Sequence, residues 1–111
     1  MKHEMKLHDD PFQLIKLGTK TIELRLLDEK RSLINIGDSI EFTNRLTNEK
    51  IIVMVKGLHK YSSFEELYKN FNKVLLGYKE DEEANPKDME QYYSKEEQNN
   101  YGVVGIEIEL K

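Results

Sequence analysis

The chain has 111 residues, which suits one domain (residues 1–111) with room for a real core and none for a second domain. Its formal net charge of −4 argues against a protein that coats nucleic acid non-specifically, because such binding needs a basic surface to neutralise phosphates. It has no cysteine, so disulfides, thiolate metal sites and thiolate nucleophiles are excluded. The apolar runs fall far short of the ~20 residues a membrane helix needs, and the start Met1-Lys2-His3-Glu4-Met5-Lys6 lacks a signal-peptide core, so a cytoplasmic protein with no membrane partner is expected. Charge is unevenly spread: residues 1–60 carry 11 Lys/Arg against 9 Asp/Glu, and residues 61–111 carry 6 against 12. A local positive cleft on the first half is therefore compatible with the acidic total.

In chain order, Met5 and Leu7 alternate with Glu4 and Lys6, which predicts a first strand over His3 to Leu7. Asp9-Asp10-Pro11 is a helix start, with Asp10 as the expected N-cap and Pro11 at the first helical position. The helix runs to Leu17, turns Phe12 and Ile15 inward, and closes at Gly18, which suits a left-handed C-terminal cap. Thr21 to Leu26 reads as a strand, with Ile22, Leu24 and Leu26 on one face and Thr21, Glu23 and Arg25 on the other. A turn at Gly37-Asp38, strands over Ser39 to Thr43 and Ile51 to Leu58, and a polar turn between them form a β-meander signature. Ser63-Phe64-Glu65-Glu66 fits a reciprocal cap opening a helix that buries Phe64, Leu67, Tyr68 and Phe71. Lys79 to Asp88 reads as an acidic exposed connection, with short helical turns around Met89, Tyr92 and Tyr93, and Val103 to Leu110 as the last strand. The expected fold class is α+β: a small β-barrel of about five strands flanked by two or three short helices.

The segment Leu17-Gly18-Thr19-Lys20-Thr21-Ile22-Glu23-Leu24-Arg25 joins helix to strand and gathers charge. With the apolar face of the strand turned to a core, Glu23 and Arg25 lie side by side on the other surface and Lys20 stands at the strand's entrance. On a solvated strand such a pair contributes only about 0–1 kcal/mol. In a cleft it could hold an anion, since arginine binds phosphate through paired hydrogen bonds and lysine supplies a point charge.

In order, Gly18-x-Lys20-x-x-Glu23-x-Arg25 after a short helix, Gly37-Asp38, a β-pair, Ser63-Phe64 before a helix and Tyr101-Gly102-Val103 before a final strand resemble the ASCH domain, a member of the PUA-like superfamily. The resemblance covers nearly the whole chain. It implies a β-barrel flanked by helices, with a cleft between the first helix and the barrel that binds RNA or a nucleotide-like small molecule. Carried onto this sequence, Lys20, Glu23 and Arg25 are the implied ligand contacts. Lys30 and Arg31 extend a positive rim, and Tyr101, with Tyr92 and Tyr93, offers base-stacking surface.

The same resemblance extends to small hydrolases of acetylated cytidine, with a lysine, a threonine and a glutamate as their working set. Lys20 matches the lysine, and Glu23 occupies the threonine position. A glutamate is not a hydroxyl nucleophile; it would act as a general base if burial raised its pKa. Three readings follow: a module binding RNA or a nucleotide-like ligand; a hydrolase of a modified nucleoside or of RNA with Lys20 and Glu23 as catalytic groups; and a protein-interaction module using the acidic second half. No cofactor is implied. His3, Glu4, His8, Asp9 and Asp10 lack a diagnostic metal spacing, so no metal site is expected.

Overall fold

The computed structural model describes residues 1–111. Five strands, β1 (Lys2–Leu7), β2 (Ile22–Leu26), β3 (Ser39–Asn44), β4 (Lys50–Tyr61) and β5 (Val103–Leu110), form one sheet in the order β1-β3-β4-β5-β2. Only the β1–β3 pairing is parallel. The sheet curls into the expected small barrel-like form, and β4 helps to bend it. This strand pairs with β3 through its first half and with β5 through its second, with a register irregularity between Val55 and Gly57. β1 and β2 are the two edges, so the seam between them has no strand ladder.

The alternation expected of the strands sorts their side chains into two cores. Met5, Leu7, Ile40, Phe42, Val53, Val55, Val104, Ile106 and Ile108 pack with Phe12 and Ile15 of α1 (Asp9–Leu17) in the larger one. Ile22, Leu24 and Leu26 of β2 pack in the other with Phe64 and Leu67 of α2 (Phe64–Tyr68) and Leu76 of α3 (Lys73–Leu76). The helices that follow β4 therefore cover β2, and this places their connecting loops beside the charged residues of that strand.

Local chemistry departs from expectation at two caps. The N-cap of α1 is His8 rather than Asp10. Asp9 starts the helix instead, its carboxylate accepting hydrogen bonds from Asn44 Nδ2 (2.9 Å) and Gln13 Nε2 (3.2 Å), which tie the helix start to β3. Pro11 is tolerated in this first turn because its missing N–H would have no intrahelical acceptor. At α2, Ser63 Oγ accepts from Glu66 N at 3.3 Å, but the Glu66 carboxylate turns to Lys69 Nζ at 3.2 Å. The reciprocal cap is formed by Ser94 and Glu97 at α4 (Lys95–Tyr101). With α3 and α4 the short helices number four, against the two or three expected, and 3-10 turns lie at Arg31–Leu33 and Pro86–Gln91. No helix is long and apolar enough to cross a membrane.

Candidate functional site

The helix-to-strand segment delivers its charges inward. Gly18 closes α1 in the left-handed conformation at φ 87°, where glycine has no steric penalty. The chain then turns so that Lys20 enters the protein and is only 4% exposed. Its Nζ donates to the main-chain oxygens of Ile22 (2.7 Å) and Leu76 (2.8 Å) and lies 3.5 Å from Glu23 Oε1. Leu76 is presented by the end of α3, which Gly77 closes at φ 110°. A Cβ on Gly77 would lie 3.1 Å from Lys20 Cδ.

Glu23, 5% exposed, is clamped between two cations. Arg25 Nε donates to Glu23 Oε2 at 2.8 Å, and an Arg25 Nη2 stands 2.8 Å from the same oxygen while also donating to the main-chain oxygen of Lys6 at 3.0 Å. The surface placement expected for this pair is thus replaced by burial, because loops of the second half of the chain fold over β2. Burial pushes the Glu23 carboxyl up, but Arg25 and Lys20 together outweigh it, and its pKa lies below the ordinary range. The raised glutamate pKa that general-base chemistry would need is therefore not met. Burial pulls the Lys20 ammonium below the usual lysine range, only partly offset by Glu23. Arg25 moves the other way: burial is outweighed by Glu23 and by the neighbouring Tyr93 phenol. With the carboxylate ionised and both bases protonated, the cluster carries one net positive charge.

This cluster lies in a cleft of about 830 Å³. One wall comes from β1 and the start of α1, with Lys6, His8 and Pro11; the opposite wall comes from residues 76–93. The stretch read as an exposed connection therefore builds the site, contributing Glu82 and Asp88. Tyr68 and Tyr78 share a hydroxyl contact of 2.9 Å, and Tyr78 OH donates to Asp88 Oδ2 at 2.8 Å, holding that wall together. The rings of His8 and Tyr92, both lining the cleft, lie 6.3 Å apart between centroids and tilted by 35°. Tyr93 stacks on Phe64 at 5.9 Å, which anchors it beside Arg25.

Of the residues singled out from sequence, Lys20, Glu23, Arg25, Arg31, Tyr92 and Tyr93 come together in the cleft. Lys30 lines an adjoining groove instead. Tyr101, at the end of α4 and 51% exposed, lines neither. Lys6 and Arg45 line the cleft without having been anticipated: Lys6 reads as an ordinary outward-facing strand residue and Arg45 as part of the polar turn, and only the pairing of β1 with β3 brings them to Arg25. No cluster of three or more His, Asp or Glu side chains is arranged to hold a metal ion.

A family model described as ASCH domain matches residues 5–111. The chain belongs to the ASCH domain family. Two solved structures of similar chains bear this out at the level of the fold. The crystal structure of hypothetical protein PH0355 matches with a TM-score of 0.80 at 41% identity, covering 100% of both chains. The solution NMR structure of protein PF0455 from Pyrococcus furiosus matches with a TM-score of 0.73 at 37% identity, covering 99% of this chain and 97% of that one. No curated protein matches the chain. In this ASCH domain the motif residues Lys20, Glu23 and Arg25 form one buried, hydrogen-bonded unit rather than three independent surface charges.

Proposed function

We propose that this ASCH domain binds a nucleotide-like ligand, free or as a unit of a short RNA, in the cleft between α1 and the loops of residues 76–93. The observation that carries the reading is the Lys20–Glu23–Arg25 cluster, which sets two cations against one carboxylate on the floor of the cleft. A buried excess of positive charge is unfavourable on its own, and an anionic group entering the cleft relieves it. Glu23 holds the two cations in place, and Arg25 and Lys20 present the field to a phosphate. The tyrosines supply the apolar, planar surface that a base requires, where stacking contributes ~1–3 kcal/mol per base.

Binding is favoured over hydrolysis by the engagement of both candidate catalytic groups. Glu23 is bound to Arg25 and held ionised, and Lys20 Nζ is committed to two carbonyl oxygens. The test is a thermal-shift titration with uridine and cytidine 5′-monophosphates and with inorganic phosphate. N4-acetylcytidine is incubated in parallel and product followed by chromatography. The binding reading expects stabilisation that grows with nucleotide concentration, approaching ~2.7 kcal/mol at one hundred times Kd, and no product. Tyr92→Ala, at an exposed position, should weaken nucleotide binding without affecting the fold. Stabilisation by none of these compounds would overturn the reading, and turnover of the acetylated nucleoside would replace it with the hydrolytic one.

A further inference from the structure

A second groove, of about 680 Å³, opens beside the cleft and shares Lys6, Arg25, Arg31 and Arg45 with it. It crosses the outer face of β1, β3 and β4. The strand register explains its charge: Lys6 pairs with Thr43 and Thr43 with Lys50, so one cross-strand row carries a cation at each end. With strands about 4.8 Å apart, that row spans roughly 10 Å, longer than a single phosphate group. Lys30 and Arg31, which follow β2 in the chain, line the same groove, and Arg45 follows the end of β3.

Lysines free of a carboxylate partner also stand elsewhere on the surface, at Lys60, Lys73, Lys79, Lys87, Lys95 and Lys111, but in this groove four such cations line one surface. Lys2, Lys16, Lys56 and Lys69 each stand within 4 Å of a carboxylate, as does Arg31 with Asp28. Lys6, Lys30, Arg45 and Lys50 form no ion pair, and Arg31 Nε is a buried donor with no hydrogen-bond partner. The lining carboxylates are Glu4 and Glu41, two residues further along the ladder and themselves register partners, and Glu41 is held by Lys2. They bound the basic row on one side. In a chain of net charge −4, this concentration of unpaired cations is an anion track continuous with the cleft.

We propose that the groove holds the backbone phosphates of a single-stranded oligonucleotide whose terminal or splayed nucleotide occupies the cleft. The substrate class is then an oligonucleotide of several units rather than a mononucleotide. This inference rests on the reading of the cleft given above. A nucleic acid fits better than an acidic peptide because the track runs into a tyrosine-lined cleft, and a basic groove joined to aromatic stacking surface is the arrangement that binds single strands.

The experiment compares 5′-fluorescein-labelled hexauridylate, by anisotropy from 50 to 200 mM salt, with uridine 5′-monophosphate by calorimetry. The proteins are the native chain, Lys50→Glu and Lys50→Arg. Lys50 is exposed and lies outside the cleft, so the fold and mononucleotide binding are expected to be unchanged. Lys50→Glu should weaken hexauridylate about tenfold and reduce the salt slope by ~0.7 or more, the value for one phosphate of a single strand, while Lys50→Arg retains both. Unchanged affinity and slope in Lys50→Glu, with the mononucleotide still bound, would overturn the groove assignment and leave the cleft reading standing. Binding of hexaglutamate as tight as that of hexauridylate would also overturn it. Failure of hexauridylate alone to bind the native chain would likewise overturn only the groove, whereas failure of uridine 5′-monophosphate to bind would remove the cleft reading and the groove with it.

Discussion

Arg25 on β2 donates a hydrogen bond from its guanidinium to the main-chain oxygen of Lys6 on β1, at 3.0 Å. These are the two edge strands of the sheet, and no ladder joins them. The contact carries a side chain across the seam where backbone pairing stops. Because the same guanidinium grips Glu23, the residue that bridges the barrel also sets the floor of the cleft. On the proposed function, stability and ligand binding are thereby coupled at one position.

Replacement of Glu23 by Ala should strongly destabilise the protein. It leaves Lys20 and Arg25 as uncompensated charges in a buried site, and breaking such a network by removing one partner costs about 3–5 kcal/mol. Denaturant unfolding should show a lower midpoint with an unchanged slope. A loss below ~1 kcal/mol would place the trio in effective contact with solvent and contradict its burial.

Gly77→Ala should impair both fold and cleft. The residue has φ 110°, which side chains rarely adopt, and its new Cβ would press on the Lys20 side chain at 3.1 Å. Strain of about 1–3 kcal/mol is expected in thermal unfolding, together with weaker nucleotide binding as Lys20 shifts from the Leu76 carbonyl. Gly18→Ala, with nothing within 4 Å of its Cβ, should show the stability loss without the binding loss.

At pH values within the lowered Lys20 range, nucleotide binding should take up protons. Burial holds the Lys20 pKa below the usual lysine range in the free protein, and a phosphate beside it would raise it again. Affinity should therefore weaken as pH rises through the lowered Lys20 range. Calorimetry in buffers of different ionisation enthalpy should give an apparent binding enthalpy that varies with the buffer; a buffer-independent enthalpy across that range would contradict the coupling.

Acid should remove a specific contribution from the β1–β3 end of the sheet. Asp38 accepts from or pairs with His3 Nε2 (2.8 Å), Asn35 N (2.9 Å) and the terminal ammonium (3.3 Å), and these contacts bring its pKa down to about 2. Since the folded value lies below the unfolded one, this contribution is present above the ordinary aspartate pKa of ~3.9 and is lost as pH falls from about 4 to about 2. Asp38→Asn should be less stable at neutral pH and should show a shallower decline across that window. Parallel acid titrations of the two proteins check the sign.

The sequence by itself determined the elements whose signals are local. Alternation specified the strands from His3, Ser39, Ile51 and Val103, and the Gly18 cap and the following Ile22-Leu24-Leu26 face specified the helix-to-strand junction that carries Lys20, Glu23 and Arg25. The motif order was enough to recognise the ASCH family, because it depends on residue types at spacings along one chain.

What only the tertiary structure decided are relations between distant segments. The parallel pairing of β1 with β3 put Lys6 beside Thr43 and Lys50, and no periodicity within β1 encodes that register. The burial of Glu23 and Lys20 came from residues 76–93 closing over β2; Lys79 to Asp88 stays the largely exposed connection its composition reads as, while Tyr78 and Met89 on either side of it pack against the smaller core and Asp88 accepts from the Tyr78 hydroxyl. The cap of α1 shifted from Asp10 to His8 as Asp9 engaged Asn44 on another strand. In each case a long-range contact outweighed a local preference of about a kcal/mol, because burial and hydrogen bonding between segments act together where a single cap or turn acts alone.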